Sequence, residues 1–515
     1  MQVIWKEELV KLFCDTVPTV SRFLRSFSTL FNAKGRDRSR LLGKRSAVAG
    51  SAVVACVLLL AACGNATSVT STKGNTDGVF SNKIVVGGLA SLTGPVTGDF
   101  APIYQGVQAY FDMINAQGGV NGRKIDFAYK LDDQSDPSLD SQLARTLVDQ
   151  DHVFAVVGVA TPSFTGAGYL ASNDVPTFGL DVNPNSQWAA GPSLFGEDGS
   201  YQSFTSPQLQ AAYLAEKLDA KNVAVLALDV SQSQQGCQGA INAFKRYGIN
   251  LAYTNLDIPL IGTGLHAAVT RMATDHVDMV VSCMDESANI NLSSILQQDG
   301  LSNMKQLWYN GYDQQALDKY PSQMEGVYFL LLNLPFEAAQ LYPGTYPGLD
   351  TFIKMMNKYE PGKLPSQPSL AGWVNADLFV KGLRMIGRDV TRTRLVSALN
   401  TISDFTAGGI LAPVDWRVSH GPNTSPYNCT SFVQAQGTRF VPVFTTPESG
   451  NAPASVFSCF PVKLPAHGPI HRIIPLPKGV PPYITSTSSD AVATGVPSVP
   501  VALHRQDHST VIGGR

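Results

Sequence analysis

The sequence predicts an α/β protein built as two doubly wound parallel-sheet lobes joined by a three-crossover hinge. Three observations carry that expectation. Short continuous apolar runs alternate with amphipathic stretches from residue 83 onward, the pattern of parallel strands covered by helices on both faces. The alternation completes one series and restarts near 207, which implies two sheets. Helical patterns then return at 349–402 before a hairpin, so the chain must revisit the first lobe and cross again to the second.

In chain order, strand 83–90 is an apolar run, and helix 104–116 is closed by Gly118-Gly119. Strand 124–131, helix 139–150, strand 154–159, helix 164–172 and strand 176–180 complete the first series. The second runs through helix 207–218, strand 223–228, helix 236–247, strand 251–256, helix 265–274, strand 279–283, helix 287–298 and strand 306–310. Helices at 349–359, 372–386 and 393–402 follow. Runs 430–434 and 439–444 form a hairpin turning at Gln436-Gly437. Crossovers are expected near 196–205, 331–336 and 411–416.

The N-terminal segment addresses the compartment. Arg36, Arg38, Arg40, Lys44 and Arg45 precede an apolar run at 47–62, which ends in Leu60-Ala61-Ala62-Cys63 and turns polar at once. A positive flank, an apolar stretch and small residues before a cleavage point describe an export signal. The run is shorter than the roughly 20 residues that a spanning helix needs. Leu60-Ala61-Ala62-Cys63 resembles the lipobox of bacterial lipoproteins, which implies a diacylglyceryl group on Cys63 and cleavage before it. Residues 1–35 make the charged region unusually long and read as an upstream start. The expected organisation is an export signal with N-terminal extension (1–62), a lipidated Cys63 with a flexible tether (63–82), a first lobe (83–200 and 335–412), a second lobe (201–334 and 413–460) and a disordered Pro/Ser/Thr-rich tail (461–515).

Composition narrows the function. From Cys63 onward 28 Lys+Arg face 36 Asp+Glu, and an acidic body argues against nucleic acid as a partner. Of the seven cysteines, Cys237, Cys283, Cys429 and Cys459 remain beyond the signal and the anchor. An even number suits a disulfide-permissive compartment. Three pairings are open; Cys237–Cys283 with Cys429–Cys459 is favoured because each pair falls within one local substructure. No zinc spacing, GxGxxG turn, GxSxG elbow, HExxH or P-loop is present, and the eight histidines are scattered, so no metal, cofactor or enzymatic activity is expected.

Three motifs in order carry a family resemblance: Ser91-Leu-Thr-Gly-Pro-Val96 after the first strand, Ile114-Asn-Ala-Gln-Gly-Gly-Val-Asn-Gly122 at the first helix end, and Leu131-Asp-Asp-Gln-Ser-Asp-Pro137 after the second strand. Val156-Val-Gly158 and Ala412-Pro-Val-Asp-Trp416 continue it. Over roughly 83–460 the chain resembles the type I periplasmic solute-binding proteins, the leucine/isoleucine/valine-binding group of ABC transporters. The resemblance implies a monomeric, lipid-anchored protein on the extracytoplasmic face of the cell membrane, which binds a small molecule and works with ABC permease subunits. A ligand-sensing module for a partner receptor is the alternative.

It also implies where ligand is met. The loop Thr161 to Thr165 would hold a ligand carboxylate through Thr161 and Ser163, unless these hydroxyls only cap the next helix. Asp99 and Phe100 stand where the family places an aromatic wall. On the second lobe Ser233, Met284, Asp285, Tyr312 and Asp313 follow strands, where the family places a ligand-facing aromatic and an acid for the amine; Glu286 shares that segment. Asp181 departs from the family's small residues and would repel a carboxylate unless turned away. The cysteine that the amino-acid binders carry in the 132–136 stretch is missing as well.

Overall fold

The computed structural model of the protein describes residues 75–201, 207–260, 262–422, 427–445 and 456–461. The signal, Cys63 and the tail from 462 lie outside these residues. The first lobe opens with β1 (Lys83–Ala90), α1 (Thr97–Phe100), α2 (Ile103–Ala116), β2 (Lys124–Asp132), α3 (Pro137–Asp149) and β3 (Ala155–Ala160). It continues through α4 (Ala167–Ser172), β4 (Thr177–Gly179), α5 (Asn185–Trp188) and β5 (Leu194–Gly196). Its sheet is wholly parallel in the order β2-β1-β3-β4-β5.

The second lobe holds α6 (Leu209–Lys217), β6 (Asn222–Leu228), α7 (Ser231–Tyr247), β7 (Asn250–Ile258), α8 (Leu265–Thr274), β8 (Met279–Ser282), α9 (Glu286–Gln298), β9 (Lys305–Trp308), α10 (Gln314–Lys319), α11 (Pro321–Met324) and β10 (Tyr328–Leu331). The chain then returns through α12 (Ala338–Leu341), α13 (Pro347–Tyr359), α14 (Gln367–Ile386) and α15 (Arg392–Leu399), and finishes in β11 (Tyr427–Gln436), β12 (Arg439–Val443) and β13 (Phe457–Pro461). The second sheet runs β12-β11-β10-β9-β8-β6-β7, with β13 on β11. Its β6–β10 part is parallel, and β11 joins β10 antiparallel. Successive side chains of a strand point to opposite faces. In β6, Val223, Val225 and Ala227 enter one core while Ala224, Leu226 and Leu228 enter the other.

Three strands were not legible beforehand. β5 has three residues, too few for a period. β10 lies in the apolar stretch 327–334, where periodicity does not separate strand from helix. β13 is five residues near the C-terminal end of the described chain. Helix 164–172 also starts late, at Ala167, because the backbone N–H of Gly166 donates to the Asp140 carboxylate of α3 at 2.7 Å and the loop before it stays irregular.

Two boundaries move. The tether is docked from Asn75 onward: its carbonyl accepts the Arg392 N–H at 2.9 Å, and Val79 bridges to Ile84. Val414 and Trp416, expected in the third crossover, pack in the first lobe instead, Trp416 edge-on to Phe195 at 5.0 Å, and the next strand of the second sheet, β11, starts at Tyr427. The second crossover follows β10, where Leu334 donates its N–H to Ile410 at 2.9 Å. The first leaves β5, and its residues 202–206 lie outside the described set.

Both expected disulfides are formed. Cys237 of α7 is bonded to Cys283 beyond β8, and Cys429 of β11 to Cys459, its register partner on β13.

Candidate ligand site between the lobes

In open parallel sheets ligands bind beyond the carboxyl ends of strands. Here the loops from those ends in the two lobes meet. After β1, Thr97 starts the single turn α1, its Oγ donating to the Gly94 carbonyl at 2.8 Å, and this turn carries Asp99 toward the second lobe. The backbone N–H of Glu286, the first residue of α9, acts on the Asp99 carboxylate and favours its charged form. Beside it, Glu286 Oε1 lies near Gly98. A second contact pairs Asp313 with Ser366, the N-cap of α14 in the first lobe.

Two second-lobe acids are helix caps. Asp285 Oδ2 accepts the N–H groups of Ser287 and Ala288 at 2.9 and 3.3 Å, and Asp313 Oδ1 accepts those of Gln315 and Ala316 at 2.7 and 3.0 Å. Capping fixes both carboxylates at the helix entrances. Asp285 is 8% exposed, and its Oδ1 is buried without a hydrogen-bond partner.

The electrostatics are those of acids crowded together. Burial pushes Asp99 well above the usual carboxylate range, with Asp285, Glu286 and Asp313 adding repulsion and the Glu286 N–H opposing it. Burial, then Asp313 and Asp285, pushes Glu286 up to about 7, against the pull of Lys319. Asp285 and Asp313 are raised by burial, with the cap N–H groups opposing.

Other expected site residues are placed differently. Ser233 accepts the Leu228 N–H at 2.8 Å and donates to the Cys283 carbonyl at 2.7 Å, so its hydroxyl brackets β6 to the end of β8. Met284 is fully buried in a second-lobe core, and Phe100 packs in the core of the first. Tyr312 is also core: its hydroxyl donates to Glu337 Oε2 at 2.7 Å and accepts the Phe336 N–H at 2.8 Å, while its ring stacks on Phe336 at 5.2 Å. It thus ties the second lobe to the chain leaving the second crossover instead of presenting a ligand-facing aromatic edge. Asp181 is buried against Gly196 of β5. Thr161 Oγ accepts the Ser163 N–H at 3.3 Å within the loop, and Ser163 is partly exposed; neither caps α4, whose N-cap is Gly166.

What the sequence missed is that Asp99, expected beside an aromatic wall, comes against the second-lobe acids. Glu337 was missed as well, since nothing in its local pattern marks it. A solvent-open groove between α7 and β7, lined by Gln234, Gln238, Asn255 and Asp257 among others, takes no residue from the first lobe. Among the described residues no group of three or more His, Cys, Asp or Glu is arranged to hold a metal ion. No helix among them is long and apolar enough to cross a membrane.

Residues 83–439 match the family model described as periplasmic binding protein. A fatty acid ABC transporter substrate-binding protein from Thermomonospora curvata is similar at 17% identity and a TM-score of 0.59, covering 72% of this chain and 93% of that one. A branched-chain amino acid transporter substrate-binding protein from Streptococcus pneumoniae, bound to isoleucine, gives 16%, 0.59, 70% and 98% for the same measures. An ABC transporter solute-binding protein from R. palustris in complex with 4-hydroxybenzoate gives 17%, 0.58, 70% and 95%. No curated protein matches the sequence significantly. The chain belongs to the periplasmic binding protein family and has its type I architecture of two α/β lobes.

Proposed function

We propose that the chain is an extracytoplasmic solute-binding lipoprotein of an ABC importer, which captures a small polar solute by closing its lobes and catalyses no reaction. The supporting observation is that Glu286 of the second lobe lies against the Gly98–Asp99 turn of the first, its Oε1 3.9 Å from where a Cβ on Gly98 would stand, so strand-end loops of both lobes share one polar surface. The solute class at this level is an amino acid or a related amide or organic acid. Once enclosed, each solute polar group left unpaired costs about 1–3 kcal/mol. A solute of about nine heavy atoms, at roughly −0.8 to −1 kcal/mol per atom, reaches about −7 to −9 kcal/mol, near micromolar. Titration calorimetry against amino acids, amides and organic acids, with small-angle scattering in parallel, tests this: binding should come with compaction. Ser163→Ala should weaken binding about tenfold if the loop 161–165 meets the solute, since one lost hydrogen bond to a charged group is of that order. Unchanged affinity would remove Ser163 from the site.

The anchor reading rests on the Leu60–Cys63 motif after the apolar run. Two acyl chains on one cysteine give stable membrane attachment, where one is marginal. Cys63→Ala should leave unprocessed precursor or release the protein from membranes. Acyl labelling that survives the substitution would rule the anchor out.

A further inference from the structure

We propose that the solute is an organic dication, a diamine or an amine with a guanidinium, and that its charge lets the lobes close. This rests on the lobe-closure reading above and replaces its solute class with a cationic one. Four carboxyl groups from two lobes are brought together, Asp99 on the first and Asp285, Glu286 and Asp313 on the second: Glu286 lies between the two loops, its Oε1 3.9 Å from where a Cβ on Gly98 would stand and its Cγ 3.6 Å from one on Gly311. Lys319, in the last turn of α10, acts on Glu286 with opposite charge while its ammonium lies over the Tyr320 ring at 4.9 Å. Asp318, on the same helix, adds a further negative charge beside Asp313.

Asp285 supplies an independent sign of a missing partner. Its Oδ2 is engaged by the α9 cap, yet Oδ1 is buried with nothing to accept from. A buried acceptor without a donor is rare in a complete site. Asp285 directly precedes Glu286 as the cap of α9, and its carboxylate acts on both Asp99 and Glu286, so the side chain that carries the orphan oxygen stands among these acids.

Charge counting then separates solute classes. An anion adds repulsion. A zwitterionic amino acid places one ammonium among the acids but carries a carboxylate with it, so the net charge of the cleft is unchanged. A single cation serves one lobe and leaves the opposite acid facing its neighbours. A molecule with a positive charge at each end meets Asp99 with one and the second-lobe acids with the other, turning the repulsion that opposes closure into attraction across it.

The experiment uses the mature protein, putrescine and agmatine as dications, leucine, succinate and butylamine as comparisons, and calcium chloride as an inorganic dication. The expected result is micromolar binding of an organic dication with compaction in scattering, at least tenfold weaker binding of butylamine, and no compaction with succinate. Glu286→Gln and Asp99→Asn should each weaken the dication at least tenfold, and neither removes a helix cap, so their urea midpoints should not fall. Tight binding of leucine or succinate with none of the dications would overturn the dication proposal and leave the solute-binding reading intact. Compaction by calcium alone, competing with putrescine, would overturn it in favour of a metal ion. If nothing in the panel binds or compacts the protein, both readings fall together.

Discussion

Gly106→Ala will destabilise the first lobe by about 3 kcal/mol or more, and Gly372→Ala by a similar amount, as read by urea unfolding. A Cβ on Gly106 would sit 1.7 Å from the Ser369 carbonyl oxygen and 2.8 Å from the Trp373 nitrogen. One on Gly372 would sit 2.0 Å from the Ile103 carbonyl oxygen. Both clashes are with backbone, so no flexible side chain can swing aside and one helix must shift. The two glycines lie where α2 and α14 cross at backbone contact. A shift there disturbs the edge-to-face pairs Tyr110–Trp373 at 4.7 Å and Phe111–Phe379 at 6.0 Å. Overpacking a tight core typically costs 1–3 kcal/mol, and a helix-wide displacement belongs at the top of that range or above it. Gly168→Ala in α4 is the control: open space surrounds its Cβ position, so the change should be neutral or stabilise slightly. A Gly106→Ala protein within about 0.5 kcal/mol of the parent would refute the backbone-contact account.

Asp140→Asn will stabilise the protein at pH 8 by about 2–4 kcal/mol and change little at pH 4, the size expected when burial lifts a carboxyl from its usual range to about 7 and local relaxation moderates the cost. Asp140 is fully buried in α3 and holds the loop before α4 by accepting from Gly166 N–H at 2.7 Å and Thr165 Oγ at 3.0 Å. Burial pushes it up to about 7, Asp133 adds to this, and the Gly166 N–H opposes it. The sign follows: a carboxyl raised in the folded state favours folding while protonated. That stability is complete below the unfolded value near 4 and is lost as pH rises through about 7. Asn keeps an oxygen for Gly166 and Thr165 and places an NH2 where Oδ2 has no partner. Glu197, pushed up to about 8 by burial and then Asp198, adds pH dependence of the same sign and remains in the variant. Equal stability of variant and parent at pH 8 would show that Asp140 ionises in the fold without penalty.

The local pattern was sufficient for much of the architecture. Lys83–Ala90 and Lys124–Asp132 appear as strands within a residue of their expected bounds: β1, buried on both faces, reads as an uninterrupted hydrophobic segment, and the edge strand β2 opens with the alternation of buried Ile125 and Phe127. α8 matches its pattern residue for residue, and α9 starts one residue earlier, right after its Asp285 cap. The return of α13 to α15 before the hairpin dictated the crossings. Cys237 and Cys283 were paired through their neighbouring βα units, and the fold places them side by side.

What sequence alone determined, then, was whatever depends on the next few residues: strand and helix type, the hairpin turn and the order of the elements. The tertiary structure decided the site. Asp313 and Asp285 read as loop acids for a ligand's amine, and they are helix caps that also act on an acid from the other lobe. Tyr312 read as a ligand-facing aromatic and instead ties the second lobe to Glu337 beyond the second crossover. Asp99 gained its acidic neighbours only when the loop after β1 met the start of α9 across the cleft. Hydrophobic periodicity reports a residue's neighbours along the chain and the face it buries. It has no access to which loops two separately folded sheets bring together, because packing at the hinge sets that distance.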